Sequence, residues 1–584
     1  MSMDKIGLRF RTLLAVGTIT FSTLLIFTLI HQNSIFYFVD GFSSINVLSA
    51  NNNPNATVLK QGIKDHKIAY SSVDNKVLGD KDQNVMPGIF QQRSEIGPKT
   101  HSLEDQKKDT SQSSTSIAND QFLDGLLVST FDEASCLSRY QSHLYRKASP
   151  YKPSAYLLSK LRNYEHLHSS CGPRTKSYNK TMRKGSKFSK DDAGTKCKYL
   201  VWTPSNGLGN RMLTLASAFL YAILTDRVLL VKFGTDMFGL FCEPFPDSSW
   251  LLPRNFPYWK DQKHIETYET MLGNSKKKIS KELLPQFLIL NLQHTHDGHN
   301  NFFHCDQSQG RLQKVPVLIL WSDQYFVPSL FMIPSFRQEL SKMFPEKDTV
   351  FHHLGRYLFH PSNAAWEQIS RIYEAHLAKA NERIGLQIRV YNTHRSPHQT
   401  IINEIIACTL QHKLLPELDV QKTATSLLKK RTSKAVLVAS LFSEYGEKLR
   451  TIYKTSTAMT GELIKVYQPS HEGRQKSNND THNIKAWTEI YLLSLCDALI
   501  TSPKSTFGYV AHGLGGLKPW ILQRAYGETI PNPPCQRVMS MEPCFHYPPK
   551  YDCKANNTVD FTSLFHHMKH CEDVSSGLRL VNAN

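Results

Sequence analysis

Several residue clusters in this sequence have the types and spacing to hold an anion and to move a proton beside it. Gly207-Leu208-Gly209-Asn210-Arg211-Met212 is a glycine-rich turn carrying a guanidinium. Glycine permits positive φ and close backbone approach, and arginine is a planar, permanent cation. Ser505-Thr506-Phe507-Gly508 offers hydroxyls and backbone N–H groups where a helix would begin, a natural seat for a phosphate, although an ordinary N-cap accounts for Ser505 equally well. Arg389 follows the apolar run Ile384 to Ile388 and shares a strand face with Gln387. Burying a guanidinium there is costly without an anionic partner, either a ligand or a structural carboxylate. Asp323, in Trp321-Ser322-Asp323-Gln324-Tyr325-Phe326, is placed to be a base or a helix N-cap. The chemistry these types suit is binding a diphosphate next to a group that accepts a proton.

Such residues need elements to position them. Cys197 to Trp202 reads as a buried strand, Thr203 to Gly207 as a turn, the segment to about Tyr221 as a helix, and Arg227 to Val231 as a second strand. Val315 to Trp321, Ile384 to Val390, Ala435 to Ala439 and Ala498 to Thr501 read as further strands, with a helix over about Ala364 to Lys379. Alternating strands and helices in two sets predict an α/β fold of two Rossmann-like domains facing a cleft. Ligands in such sheets gather outside the carboxyl ends of the strands. Phe241 to Pro253 is aromatic and proline-rich, hence irregular, and serves either as a wall for a sugar chain or as a cap on the sheet.

The 584 residues, 40% of them hydrophobic, suffice for one large or two medium cores. Lys and Arg outnumber Asp and Glu by 69 to 50, a net charge of +19 that suits an anionic ligand. The densest basic runs, Lys276 to Lys278 and Lys429 to Arg431, lack the interleaved aromatics of a nucleic-acid platform. Leu13 to Ile30 is uncharged and follows Lys5, Arg9 and Arg11, the pattern of an uncleaved signal-anchor with the remainder lumenal. Residues 31–121 are too polar to bury a core and read as a disordered stem. Sequons at Asn55, Asn179, Asn479 and Asn556, and 11 cysteines without a Cys-x-x-Cys pair, fit an oxidising lumen. The odd count leaves at least one thiol outside intrachain pairs.

His294-Thr295-His296-Asp297-Gly298-His299, with His304-Cys305 behind it, invites a zinc reading. It reads better as a polar surface loop ahead of the Asp323 strand, placed to shape the choice of acceptor. No Gly-x-Ser-x-Gly elbow occurs, which removes one acyl-transfer reading. The only Asp-x-Asp is Asp80-Lys81-Asp82, in the stem.

Gly207–Met212, Trp321–Phe326, Gly385–Val390 and Ser505–Ala511 resemble motifs of the plant xyloglucan-type fucosyltransferases. Gly355-Arg356-Tyr357-Leu358-Phe359-His360-Pro361 and Cys571–Val574 are similar to that family too, in its order, from about Leu123 to the C-terminus. The resemblance implies a type II Golgi membrane protein with a variant GT-B fold. Its parts would be a cytosolic tail (1–12), signal-anchor (13–30), stem (31–121), acceptor-side Rossmann-like domain (122–380) and donor-side domain with a Cys-rich end (381–584). The implied reaction is inverting transfer of L-fucose from GDP-fucose to O2 of a galactose. The acceptor would be a polysaccharide or proteoglycan of the cell wall, xyloglucan or arabinogalactan side chains. Asn210 and Arg211 would line the cleft, Arg389 would hold the diphosphate, and Ser505, Thr506 and Phe507 would receive the donor. Asp323 would lie near the acceptor hydroxyl, as a base acting directly or through water. No metal or other cofactor is expected, because Arg389 and two helix N-termini supply oriented positive potential. A homodimer is left open. The rival reading is a non-catalytic glycan-binding protein on the same scaffold; a lumenal domain meets no nucleic acid.

Overall fold

The computed structural model describes residues 122–183, 197–257, 265–274, 285–295, 302–391, 393–419, 432–455, 457–458, 461–476, 478–554 and 557–582. The expected signal-anchor and stem, with Asn55 and Asn556, lie outside the described residues. Among the described residues no helix is long and apolar enough to cross a membrane.

Strand β1 (Lys198–Thr203) starts the first sheet, and its side chains alternate between two apolar clusters. Leu200 and Trp202 enter one cluster, Tyr199 and Val201 the other, as a strand buried on both faces requires. Helix α1 (Leu208–Leu224) follows, then β2 (Arg227–Val231), β3 (Glu266–Thr267), β4 (Phe287–Leu292) and β5 (Val317–Ser322). All pair in parallel, in the order β2-β1-β5-β4-β3. Two short helices (Val327–Met332 and Arg337–Met343) separate β5 from helix α2 (Val350–Leu358). The helix expected from Ala364 runs over Asn363–Ile372 and loosens into a π-turn at Tyr373–Leu377.

The second sheet comprises β6 (Glu382–Ile388), β7 (Ser433–Ser440), β8 (Leu463–Tyr467), then helix α3 (Asp480–Ser494) and β9 (Ala498–Thr501). Helix α4 (Thr506–Gly515), β10 (Trp520–Leu522) and β11 (Cys535–Arg537) complete it. The order is β8-β7-β6-β9-β10-β11, and only β11 runs antiparallel to its neighbour. This is the 3-2-1-4-5-6 winding of a dinucleotide-binding fold.

The second sheet reverses its winding between β6 and β9, and in the first the chain returns from the far edge to lay β5 beside β1. Crevices open at the carboxyl ends of strands at such points. The chain leaves β1 into the Gly207 turn, β5 into Asp323, β6 into Arg389 and β9 into Ser502 to Ser505, so the topology brings together residues that the sequence keeps apart. Helix α1 is buried along nearly its whole length, polar Arg211, Thr214 and Ser217 included. It packs on both β1 and β2 and also on α2 and α4, so it has no solvent face.

Five disulfides form: Cys136–Cys242, Cys171–Cys197, Cys305–Cys553, Cys408–Cys535 and Cys544–Cys571. Cys496 remains a buried free thiol. The segment after β11, which the sequence groups with the second domain, returns to the first half. Cys553 bonds Cys305, and Glu542 accepts from Tyr325 Oη at 2.6 Å and from the Phe351 amide at 2.6 Å. Of the two readings of Phe241 to Pro253, the cap holds: Phe245 and Trp250 are buried, and Leu251 bridges to Val231 at the edge of β2.

Candidate active site

The two turns before α1 and α4 meet face to face. Gly207 and Ser505 are the N-cap residues, and neither side chain accepts a bond from the helix it starts. The first-turn amides therefore keep their unsatisfied donors and partial positive charge. They border a cleft of about 320 Å³ lined by Gly207–Asn210, Gln387–Arg389, Gln475, Glu489, Lys504–Phe507 and His546, among others. Thr506 Oγ1 donates to Asn210 Oδ1 at 2.5 Å and ties one helix start to the other.

The glycines act by close approach, not by positive φ. Gly207 has φ −74°, and the left-handed residues are Asn206 (φ 61°) and Lys504 (φ 57°), shortly before each helix. Asparagine tolerates that region because its short amide bonds locally. A Cβ on Gly209 would stand 2.7 Å from Thr506 C and 2.8 Å from Phe507 N. The Lys504 turn is held by Asp573, whose role the Cys571–Val574 motif does not disclose as a sequence. Asp573 Oδ2 accepts from Lys504 N at 2.8 Å and from Tyr509 Oη at 2.5 Å. Burial, and then the Asp573 charge, push the Tyr509 phenol well up, so it remains a donor. Arg579 backs this pair, 3.4 Å from Glu572 and 3.6 Å from Asp573.

Arg389 lies one residue past β6, half-buried. Its amide donates to Ser502 Oγ at 2.8 Å, its Nη2 donates to Gln475 Oε1 at 3.0 Å, and the guanidinium lies 5.4 Å from the Tyr391 ring centroid. No carboxylate pairs with it among the described residues, which leaves its charge for a ligand. Gln387, on the same face, is buried with Oε1 unbonded. Asn210, Ser505, Thr506 and Phe507 all line the cleft.

Arg211 does not. It is buried, with Nη1 2.5 Å from Asp236 Oδ2 and Nε donating to the Asn206 carbonyl at 2.7 Å. Asp236 also accepts from Asn483 Nδ2 at 3.2 Å, so Arg211 braces the turn from behind against α3. Asp323 also stands behind the cleft wall. Its Oδ1 accepts from the His294 amide at 3.0 Å and Gln324 Nε2 at 2.9 Å. Its Oδ2 accepts from Asn206 Nδ2 at 3.1 Å and from His294 Nδ1. Its carbonyl faces Asn210 Nδ2 at 3.4 Å. Asp323 does not cap the following helix, whose N-cap is Phe326.

His294, a loop residue by its sequence, is thus bonded to the carboxylate that the sequence singles out as the base. Its ring stacks on Tyr547, with centroids 5.1 Å apart. His304 is buried, and burial lowers its imidazole to about 4, while Cys305 is in a disulfide. His296 and His299 lie outside the described residues. Glu489 accepts from Ser470 Oγ at 2.6 Å, and burial pushes its carboxyl up to about 8. His546 Nε2 meets Tyr509 Oη at 3.1 Å, and burial lowers its imidazole to about 4. Asn179 and Asn479 are exposed; Asn479 also caps α3 through the His482 amide.

Two largely parallel α/β sheets, with uncapped helix starts and a carboxylate-free guanidinium on one crevice, form an anion-binding cleft of the kind a nucleotide-sugar-dependent glycosyltransferase requires. Residues 98–554 match the family described as xyloglucan fucosyltransferase, and the chain belongs to that family. It is 52% identical over 477 residues to a galactoside 2-alpha-L-fucosyltransferase of Pisum sativum, covering 80% of this chain and 83% of the relative. It is 53% identical over 472 residues to one of Arabidopsis thaliana, covering 80% and 84%. A solved structure of an Arabidopsis thaliana FUT1 mutant in complex with GDP superposes with a TM-score of 0.73 at 52% identity, over 79% of this chain and all (100%) of that one. The protein is a fucosyltransferase.

Proposed function

We propose that this chain transfers L-fucose from GDP-fucose to O2 of a galactose on a cell-wall glycan, with inversion at the anomeric carbon. The observation that carries the reading is the convergence of Arg389 and the first turns of α1 and α4 on one cleft, with no carboxylate neutralising Arg389. The diphosphate lies against the Thr506 and Phe507 amides. Arg389 stabilises the charge that grows on the β-phosphate as the bond to C1 of fucose breaks, in the manner of an oxyanion hole. The Asn210–Thr506 bond holds the acceptor-side and donor-side turns in register. Relatives named for 2-alpha transfer to a galactoside support O2 as the site, and the family name favours xyloglucan over arabinogalactan.

The reaction runs without a divalent metal. Arg389, Lys504 and the two helix starts supply the positive potential. Glu489 is the only carboxyl group lining the cleft among the described residues, and it is occupied by Ser470. The uncharged stretch at 13–30 behind Lys5, Arg9 and Arg11 supports a single-pass type II protein of the Golgi membrane, with the catalytic domain lumenal. The test incubates the purified protein with radiolabelled GDP-fucose and EDTA, offering defucosylated xyloglucan or arabinogalactan. Transfer to xyloglucan is expected. Protein that fails to bind GDP would sink the reading, and transfer that EDTA abolishes and a divalent cation restores would sink its metal-free part.

A further inference from the structure

We infer that a cavity at the far ends of the two donor-cleft helices is a second anion site, built to take an organic phosphate monoester. Its volume is about 290 Å³, close to the 320 Å³ of the donor cleft. Helices α3 and α4 reach both spaces. Asn483 and Glu489 of α3 and Thr506 and Phe507 of α4 line the donor cleft, whereas Ser494 and Gly515, the last residues of the same helices, line this cavity. At 1.5 Å per residue, the 10 residues of α4 hold the two sites about 15 Å apart, so a ligand of one does not occupy the other.

The Gly355–Pro361 motif, which the donor cleft leaves unused, supplies Arg356 and His360 to the lining, where Arg146 and Lys147 join them. Among the described residues, three cations thus line the cavity against one carboxylate. That carboxylate, Asp497, already serves Lys147 Nζ at 2.5 Å and Arg383 Nη1 at 3.4 Å. The carboxyl ends of α3 and α4 offset about half an elementary charge each, so the balance stays positive. Arg356 is oriented by an uncharged acceptor. His352 Nδ1 donates to the Gly513 carbonyl at 2.9 Å, which leaves a lone pair on Nε2, and Nε2 accepts from Arg356 Nη1 at 3.3 Å. Burial, and then the Arg356 charge, hold the His352 imidazole well below its ordinary range, so this bond fixes the guanidinium without cancelling its charge. His360 is buried, with an Nε2 that the fold alone leaves unsatisfied. Phe359, Leu495 and Leu517 complete the lining as apolar cover for an organic body. Guanidinium forks match the oxygens of a phosphate, and the apolar wall matches its ester group.

The experiment titrates phenyl phosphate into the full chain saturated with GDP, by calorimetry, with chloride at equal ionic strength as the blank. One-to-one binding is expected although the donor cleft is filled. The same binding is expected of Arg389→Ala without GDP, because its donor cleft has lost the guanidinium. Arg356→Gln is expected to weaken phenyl phosphate about 10- to 100-fold, the loss of a charge-assisted bond, and to leave GDP affinity unchanged. Lys147→Gln, at a side chain 77% exposed and already paired, is expected to weaken it by less than about fivefold. Thermal melting verifies that each variant is folded, and Arg146→Gln carries the same expectation as Arg356→Gln should the latter unfold. GDP-saturated wild type that takes up no phenyl phosphate overturns the proposal, as does a folded Arg356→Gln that binds it with wild-type affinity. Binding that GDP abolishes would assign the probe to the donor cleft and overturn it as well.

Discussion

Gly209→Ala tests whether the cleft depends on the contact between the two helix starts. Gly209 sits in the first turn of α1 outside the left-handed region, so alanine imposes no backbone strain there. In a helix it gains about 1 kcal/mol of propensity. Against this, the new Cβ would stand 2.7 Å from Thr506 C, 2.8 Å from Phe507 N and 2.8 Å from Thr506 Oγ1. Two of these atoms are α4 backbone and cannot rotate away. Ordinary contact at 3.4 Å requires the helix starts to part by 0.6–0.7 Å. Overpacking of this kind costs about 1–3 kcal/mol, so after the propensity gain the net loss is about 0–2 kcal/mol. Melting should fall by only a few degrees, at roughly 2–4 °C per kcal/mol. Catalysis suffers more, because the same shift stretches the Asn210–Thr506 bond and carries the Thr506 and Phe507 amides away from Arg389. Misplacement approaching 1 Å costs up to about 10²-fold in rate, which here predicts a loss of about 10- to 100-fold in kcat/KM. The assay is fucose transfer with GDP calorimetry and melting on the same preparation. A folded Gly209→Ala enzyme with wild-type kcat/KM would refute the reasoning.

Arg389→Lys keeps the charge but loses the planar fork. The loss of one charge-assisted bond, about 1.5–3 kcal/mol, predicts a GDP Kd raised about 10- to 100-fold at unchanged melting temperature, read by calorimetry. Replacing Cys305 and Cys553 by serine opens a loop with a sequence separation of 248. Chain entropy puts the cost near about 5 kcal/mol, visible as a lower urea midpoint; an unchanged midpoint would contradict it. Stability should also fall as pH rises from about 6.5 to 8. Burial raises the carboxyls of Glu489 and Glu542 from 4.5 to about 8, so their contribution is complete below 4.5 and lost as pH rises through 8. The buried His304, His353 and His546 are lowered from 6.5 to between about 3 and 4, and act only on the acid side, so they do not mask the alkaline slope. Glu542→Gln should flatten the melting profile between about pH 6.5 and 8, and an equally steep profile would count against the assignment.

The donor half of the site is legible because its residues sit where apolar runs end. The β6 and β9 segments are hydrophobic stretches closed by Arg389 and by Ser502-Pro503, and ligands gather at the carboxyl edge, so these closing residues belong to the crevice. Arg211 departs from its expected place in the cleft, although helix geometry holds the warning. Consecutive helical residues point about 100° apart, so with Asn210 facing the cleft Arg211 must face elsewhere, and Asp236 lies there. The left-handed position falls on Asn206 instead of a glycine because the approach of Gln475 and of α4 claims Gly207 and Gly209. The bonding of His294 to Asp323 is not legible in the sequence. It depends on β4 lying beside β5, a pairing across about thirty residues that periodicity does not reveal.

The C-terminal segment explains why the two halves of the cleft act as one. Glu542 takes the Tyr325 hydroxyl just after Asp323, Tyr547 holds the His294 ring, and Cys553 is bonded to Cys305, all in the first half. Asp573 then fixes the Lys504 turn of the second half, and Arg579 neutralises it from behind. Hinge opening near residue 380 would have to break buried polar bonds on both sides of this strap, each costing about 1–3 kcal/mol when its partner is left unsatisfied. The groups lining the cleft are thus set before the donor binds. An electrostatic site gains from that arrangement, because dipoles already aimed at the developing charge need no reorganisation when the fucosyl bond breaks.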